Sequence, residues 1–142
     1  MLSAAGAFVT MNTPQLRIPR IRTQPIPLGA RIVAVRGHLT GGNDAQQAAD
    51  FLRRFPDWQR FGLSAYYASS EEAIETLAEG ELERFPEPLS YNVADLLAQG
   101  IEVVPTFRTP HVTLAFRDLS VGLAVLNGVE HERRMNRYHD PR

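Results

Sequence analysis

The sequence predicts a single-domain α+β fold, and three observations predict it. Its 142 residues are 44% apolar, enough for one domain with a real core. Stretches that alternate apolar and polar residues are interleaved with stretches whose apolar residues recur at helical spacing. The order that results, β-α-β-α, a short strand, then α-β-β-α, carries no internal repeat and predicts a mixed sheet with three to four helices mainly on one face. An irregular basic N-terminal arm (residues 1–29) precedes this domain (residues 30–128), and a charged, polar C-terminal tail (residues 129–142) follows it.

The arm contains Pro14, Pro19, Pro25 and Pro27, which interrupt every pattern and favour extended backbone lying along the surface. Met11 offers an alternative start, with the first ten residues as an upstream extension. From Ala30 to Arg36 both alternating sets are apolar, Ile32 and Ala34 against Val33 and Val35, so this strand is central. After Gly41 and Gly42, Asn43 or Asp44 caps a helix whose stripe is Ala45, Ala48, Leu52 and Phe55, with Pro56 beyond its end. Phe61 to Tyr67 alternates Leu63, Ala65 and Tyr67 against Ser64 and Tyr66. Ser69 with Glu72 reads as a capping box for a helix that buries Ala73, Ile74 and Leu77 and stops at Gly80.

Leu82 to Leu89 carries two prolines and predicts at most a short edge strand, after which Asn92 caps a helix with Val93, Leu96 and Leu97 inward. Ile101 to Thr106 and Pro110 to Phe116, joined through Arg108 and Thr109, predict an antiparallel hairpin. Asp118 or Ser120 then starts a last helix that ends at Gly128, and the tail beyond it is expected to fray or to serve as a contact arm.

Composition narrows the chemistry. Cysteine is absent, which removes thiolate nucleophiles, disulfides and most structural zinc sites, and fits a cytoplasmic protein. All 15 basic residues are arginine, so Schiff-base chemistry and a lysine-containing phosphate loop are excluded. Arginine codons are rich in G and C, which points to a GC-rich, bacterial source. No apolar run reaches the roughly 18 to 20 residues that span a bilayer, so no membrane partner is expected. Nothing implies a cofactor, and no second His, Cys or acid stands at metal-ligand spacing on a firm element beside His131 or His139.

The net charge of -1 hides an asymmetry. Arg17, Arg20, Arg22, Arg31 and Arg36 precede the first acid, whereas Glu71 to Asp95 carries eight acids against Arg84 alone. Such a distribution steers anionic partners toward one side; the plainer reading is a solvated arm and an exposed acidic helix face.

Two of the four histidines lie in His-x-Thr tripeptides, His38-Leu39-Thr40 and His111-Val112-Thr113. Alternation puts His111 and Thr113 on one strand face, so imidazole and hydroxyl can address one substrate. His38 and Thr40 sit between the central strand and a helix N-terminus, where amides and the helix dipole favour anions. The predicted catalytic pair is His38 and His111, one as general base and the other as general acid on a phosphate ester. Thr40 and Thr113 would hold phosphate oxygens, Arg36 and Arg108 would offset negative charge, and Ser64 and Tyr66 would line the same cleft.

The run His111-Val112-Thr113-Leu114-Ala115-Phe116 resembles the strand motif of the two-histidine phosphoesterase superfamily, which includes RNA ligase-like and cyclic phosphodiesterase enzymes. The resemblance covers about six residues and implies that His38, Thr40, His111 and Thr113 form the catalytic set. Arg36-Gly37 before the first motif and Gly41-Gly42 after it depart from the apolar strand of that family. Arg36-Gly37, Gly62-Leu63-Ser64 and Pro110-His111-Val112-Thr113 are also similar to small actinobacterial proteins, a likeness that implies no activity.

Three functions follow as expectations. The first is a small phosphoesterase or ribonuclease-like enzyme acting on RNA or a nucleotide. The second is a non-catalytic protein-interaction module, one member of a toxin-antitoxin-like pair, that meets a protein partner through the basic arm or the acidic helices. The third is an ADP-ribosyltransferase-like protein in which Arg36 and Ser64 would hold NAD; the chain lacks a clear Ser-Thr-Ser stretch and Glu-x-Glu turn.

Overall fold

The computed structural model describes residues 16–23, 26–34 and 42–139. In chain order the elements are β1 (Arg31–Ala34), α1 (Gly42–Arg54), a 3-10 turn (Pro56–Trp58), β2 (Phe61–Ala68), α2 (Glu71–Glu79) and β3 (Leu89–Asn92). There follow α3 (Val93–Ala98), β4 (Glu102–Pro105), β5 (His111–Phe116), α4 (Leu119–Gly128) and β6 (Glu132–Arg133). The six strands form one sheet in the order β4-β5-β2-β1-β3-β6, and the chain is a single α+β domain. Within that class every pairing is antiparallel rather than mixed. Because β2 and β3 both pair antiparallel with β1, they run parallel to each other, and α2 carries the chain from one to the other across β1.

β1 is central, between β2 and β3, as its two apolar faces require. Ile32, wholly buried, points into the larger core with Leu63, Ala65, Tyr91, Val112, Leu114 and Phe116. Val33 points into a smaller core with Ala68, Ile74, Leu77 and Leu82. Ala48 of α1, Val93 and Leu96 of α3 and Leu126 of α4 all join the larger cluster, whereas α2 is the helix that contributes to the smaller one. The buried Tyr91 hydroxyl donates to the Leu126 carbonyl at 2.9 Å and ties β3 to α4.

Four local expectations change, the first being Leu97, expected inward but 44% exposed. The N-cap of α2 is Ser70 rather than Ser69, its hydroxyl accepting from the Ala73 amide at 3.1 Å, the third helical residue that such a cap reaches. The short strand is Leu89–Asn92 and not an edge, because Pro86 and Pro88 cannot donate to a ladder and pairing begins only beyond them. The tail does not fray over its described residues. β6 pairs with β3, the Arg134 amide donates to the Pro88 carbonyl, and Asn136 is buried. Among the described residues no helix is long and apolar enough to cross a membrane.

Candidate functional site

β5 is built to present two faces. Val112, Leu114 and Phe116 enter the larger core, which leaves His111, Thr113 and Ala115 on the opposite side. Pairing with β2 then sets Tyr66 beside His111 and Ser64 beside Thr113. Gly62 admits the packing behind them: a Cβ there would stand 2.7 Å from the Phe51 ring and 2.8 Å from Thr113 Cγ2.

The hairpin turn delivers a residue that the sequence reading passed over. Thr106 is wholly buried, and its Oγ1 lies 3.0 Å from His111 Nδ1 and 2.7 Å from Thr113 Oγ1. His111 Nδ1 also lies 3.3 Å from the Thr106 carbonyl, which can only accept. That contact puts the ring proton on Nδ1 and leaves the lone pair on Nε2. Burial holds the imidazole below its ordinary pKa; the Thr106 carbonyl opposes this and the Arg22 guanidinium adds to it. At neutral pH His111 is therefore an uncharged base with its tautomer set by the protein.

The described part of the N-terminal arm is the third wall. Arg22 donates its amide to the Pro105 carbonyl at 2.8 Å, and the Phe107 amide donates to Arg20 at 2.9 Å. Arg22 Nη1 donates to the carbonyls of Thr106 at 2.7 Å and His111 at 2.8 Å, clamping the two ends of the turn. Its Nε is buried with no hydrogen-bond partner among the described residues. Inside the turn Phe107 adopts φ 59°, a left-handed conformation costly for a bulky residue, and its ring packs 5.3 Å from His111. The Tyr66 ring meets His111 edge-on at 5.5 Å, and burial, reinforced by Glu81 and opposed by Arg84, raises its phenol pKa, so it stays protonated. Beside this cluster Arg20, Arg22, Phe107, Arg108 and Thr109 line an open cleft of about 440 Å³.

Of the expected site residues, His111, Thr113, Ser64 and Tyr66 share one sheet face, and Arg108 stands in the adjoining cleft. Thr113 is 1% exposed and meets His111 through Thr106 rather than directly. His38, Thr40 and Arg36 lie outside the described residues. Thr106 carried a legible signal, since alternation along the expected strand Ile101 to Thr106 puts it on one face with Glu102 and Val104, and Val104 pairs with Thr113. Arg22 carried none, because no period relates a proline-rich arm to a hairpin 84 residues away. No group of three His, Cys, Asp or Glu among the described residues could hold a metal ion.

Compared with family models, curated proteins and solved structures, the chain shows no match.

The depressed imidazole has a measurable consequence. As pH falls through the ordinary value of 6.5, the unfolded ring takes a proton while the folded ring does not, so stability is lost from about pH 6.5 down to the folded pKa. His111→Gln should remove that part of the slope. Urea midpoints at pH 7.5 and pH 5.5 check it: the gap between wild type and variant should narrow at the lower pH, and a constant gap contradicts it.

Proposed function

We propose that the protein hydrolyses or transfers a phosphate ester at the His111 cleft. The observation that carries this reading is a neutral imidazole, its Nδ1 held by Thr106, beside a cleft with three arginines. Nε2 takes the proton of an attacking hydroxyl as its oxygen bonds to phosphorus. The opposite P–O bond breaks, and the leaving oxygen takes a proton from a second group, the role expected of His38. Arg20 and Arg108 meet the phosphate oxygens, since guanidinium groups match their geometry, and the Arg22 charge favours the anion from beneath. The Thr113-Thr106-Nδ1 chain keeps the ring in one orientation.

The test is hydrolysis of RNA and of cyclic nucleotides by His111→Gln and His38→Gln proteins. The His111 variant should lose on the order of 10² to 10⁴ in rate while melting as a folded protein. Undiminished hydrolysis by that variant ends the proposal. Loss in both variants assigns the acid and base to the two imidazoles; loss in the first alone gives the second proton to another donor.

A second reading, the protein-interaction module, rests on Leu16, Ile18, Ile21 and Leu28, which are exposed among the arginines of the arm, Leu16 at 73% and Leu28 at 62%. Truncating the arm would also remove the Arg22 clamp. A double Leu16→Ser, Leu28→Ser variant is the cleaner discriminator, because it should shed a co-purifying partner and leave hydrolysis intact.

A further inference from the structure

A second cavity, of about 310 Å³, lies on the other side of Tyr66, between α2 and residues 134–138. One register row crosses the sheet as Ser90, Val33, Tyr66 and His111. Val33 lines the cavity, two strands or roughly 10 Å from His111. The two sites are therefore neighbours separated by Tyr66.

The cavity has an apolar floor and a charged rim. Val33, Ile74, Ala78 and Leu82 form the floor, with the buried Ser90 beside them. The rim carries Arg134, Arg137 and Glu75. Arg134 is held by both Glu71 oxygens, at 2.7 and 2.8 Å, and by Glu132. Arg137, its side chain 74% exposed, meets Glu75 at 3.2 Å. A pair so exposed is worth little, so an incoming anion can replace Glu75 at small cost. The volume falls at the lower end of the range for small-molecule pockets, room for a chain of about eight to ten carbons.

We propose that this cavity binds a small amphipathic carboxylate, with its alkyl chain on the Val33, Ile74 and Leu82 floor and its carboxylate at Arg137. Residues 134–138 are the outer wall of the site, fixed by the Asn136 side chain, which donates to the carbonyls of Ala78, Leu82 and Phe85. The occupant is set by two complementarities: the apolar floor selects chain length, and the Arg137 guanidinium, held only by an exposed pair with Glu75 and by the Tyr138 hydroxyl, selects charge.

Calorimetric titration of the full chain with hexanoate, octanoate and decanoate tests this. Affinity should rise about fourfold per methylene until the floor is covered. Octylamine should bind at least tenfold more weakly than octanoate. Ala78→Leu, which fills the floor from a helical position, should weaken octanoate at least tenfold. Arg137→Gln, at an exposed position that cannot unfold the protein by losing a core contact, should bring octanoate and octylamine together. His111→Gln should leave octanoate binding unchanged, so the fate of the phosphate-ester reading does not decide this one. No heat with millimolar octanoate, a slope with chain length that survives Ala78→Leu, or a preference for octanoate that survives Arg137→Gln overturns the proposal.

Discussion

Gly122→Ala is expected to destabilise the protein by about 3 kcal/mol, although alanine is the better helix former. Gly122 is buried within α4, and a Cβ there would lie 2.1 Å from Cδ2 of Phe116 and 2.4 Å from its Cγ. Those are ring atoms of a side chain that is itself 4% exposed and stacked on Phe61, with centroids 6.2 Å apart. The ring has nowhere to move without displacing its partner, so the added methyl forces apart the helix and the end of β5. The intrinsic gain of alanine over glycine, about 0.5 to 1 kcal/mol, is smaller than the overlap it creates. Gly128 supplies the control in the same helix, because a Cβ there meets nothing within 4 Å. Gly128→Ala should be neutral or slightly stabilising. Urea midpoints of both variants decide the matter, and equal effects would contradict the packing argument. Adding Phe116→Leu to Gly122→Ala should recover part of the loss, since the two changes share one contact.

Gly122 also shows where sequence reading reaches its limit. The last helix was legible from Asp118 and the apolar spacing, and Asp118 does cap it, accepting from the Val121 amide at 2.9 Å. Nothing in the pattern says that one glycine in that helix meets a phenylalanine ring and another meets nothing. Periodicity reports which side of an element is apolar, and it does so well for Ile32 against Val33 and for Val112, Leu114 and Phe116 against His111 and Thr113. It does not report which elements meet. The hairpin β4-β5 was readable because its strands are adjacent in sequence, whereas the Arg22 clamp and the pairing of β6 with β3 join distant segments. The candidate site divides the same way. His111, Thr113, Ser64 and Tyr66 follow from alternation on two strands, while the group that orients the imidazole comes from the turn and the arm.

Asn136 makes the same point in a run of polar residues that gives no reason to expect burial, and it carries the second large prediction: Asn136→Ala should cost about 3 kcal/mol. Where α2 ends and the chain turns toward β3, the carbonyls of Ala78, Leu82 and Phe85 point at one spot, and the Asn136 amide donates to them at 3.1, 2.9 and 3.2 Å. Its Oδ1 accepts from the Tyr138 amide at 2.9 Å, which folds the following residues back onto the turn. Alanine removes the donor from all three carbonyls at once, and among the described residues only that of Leu82, a side chain with no exposure, keeps a second partner, the Phe85 amide at 3.0 Å. Asn136→Asp should cost at least as much at neutral pH, because a carboxylate turns acceptors toward acceptors. Met135→Ala, beside it but 82% exposed, should stay within about 0.5 kcal/mol of wild type. Trp58, the only tryptophan of the chain, ends the 3-10 turn that precedes β2, far from the tail in sequence, and reports global unfolding. If the tail belongs to the cooperative unit, the Trp58 midpoint of Asn136→Ala falls by the full amount. If the tail is a strap laid on a finished domain, the midpoint holds and only amide protection near Leu82 and Phe85 is lost, and the prediction fails. The network favours the first outcome, because the Asn136 amide bridges the end of α2 to the approach to β3, and β3 is the strand against which central β1 pairs.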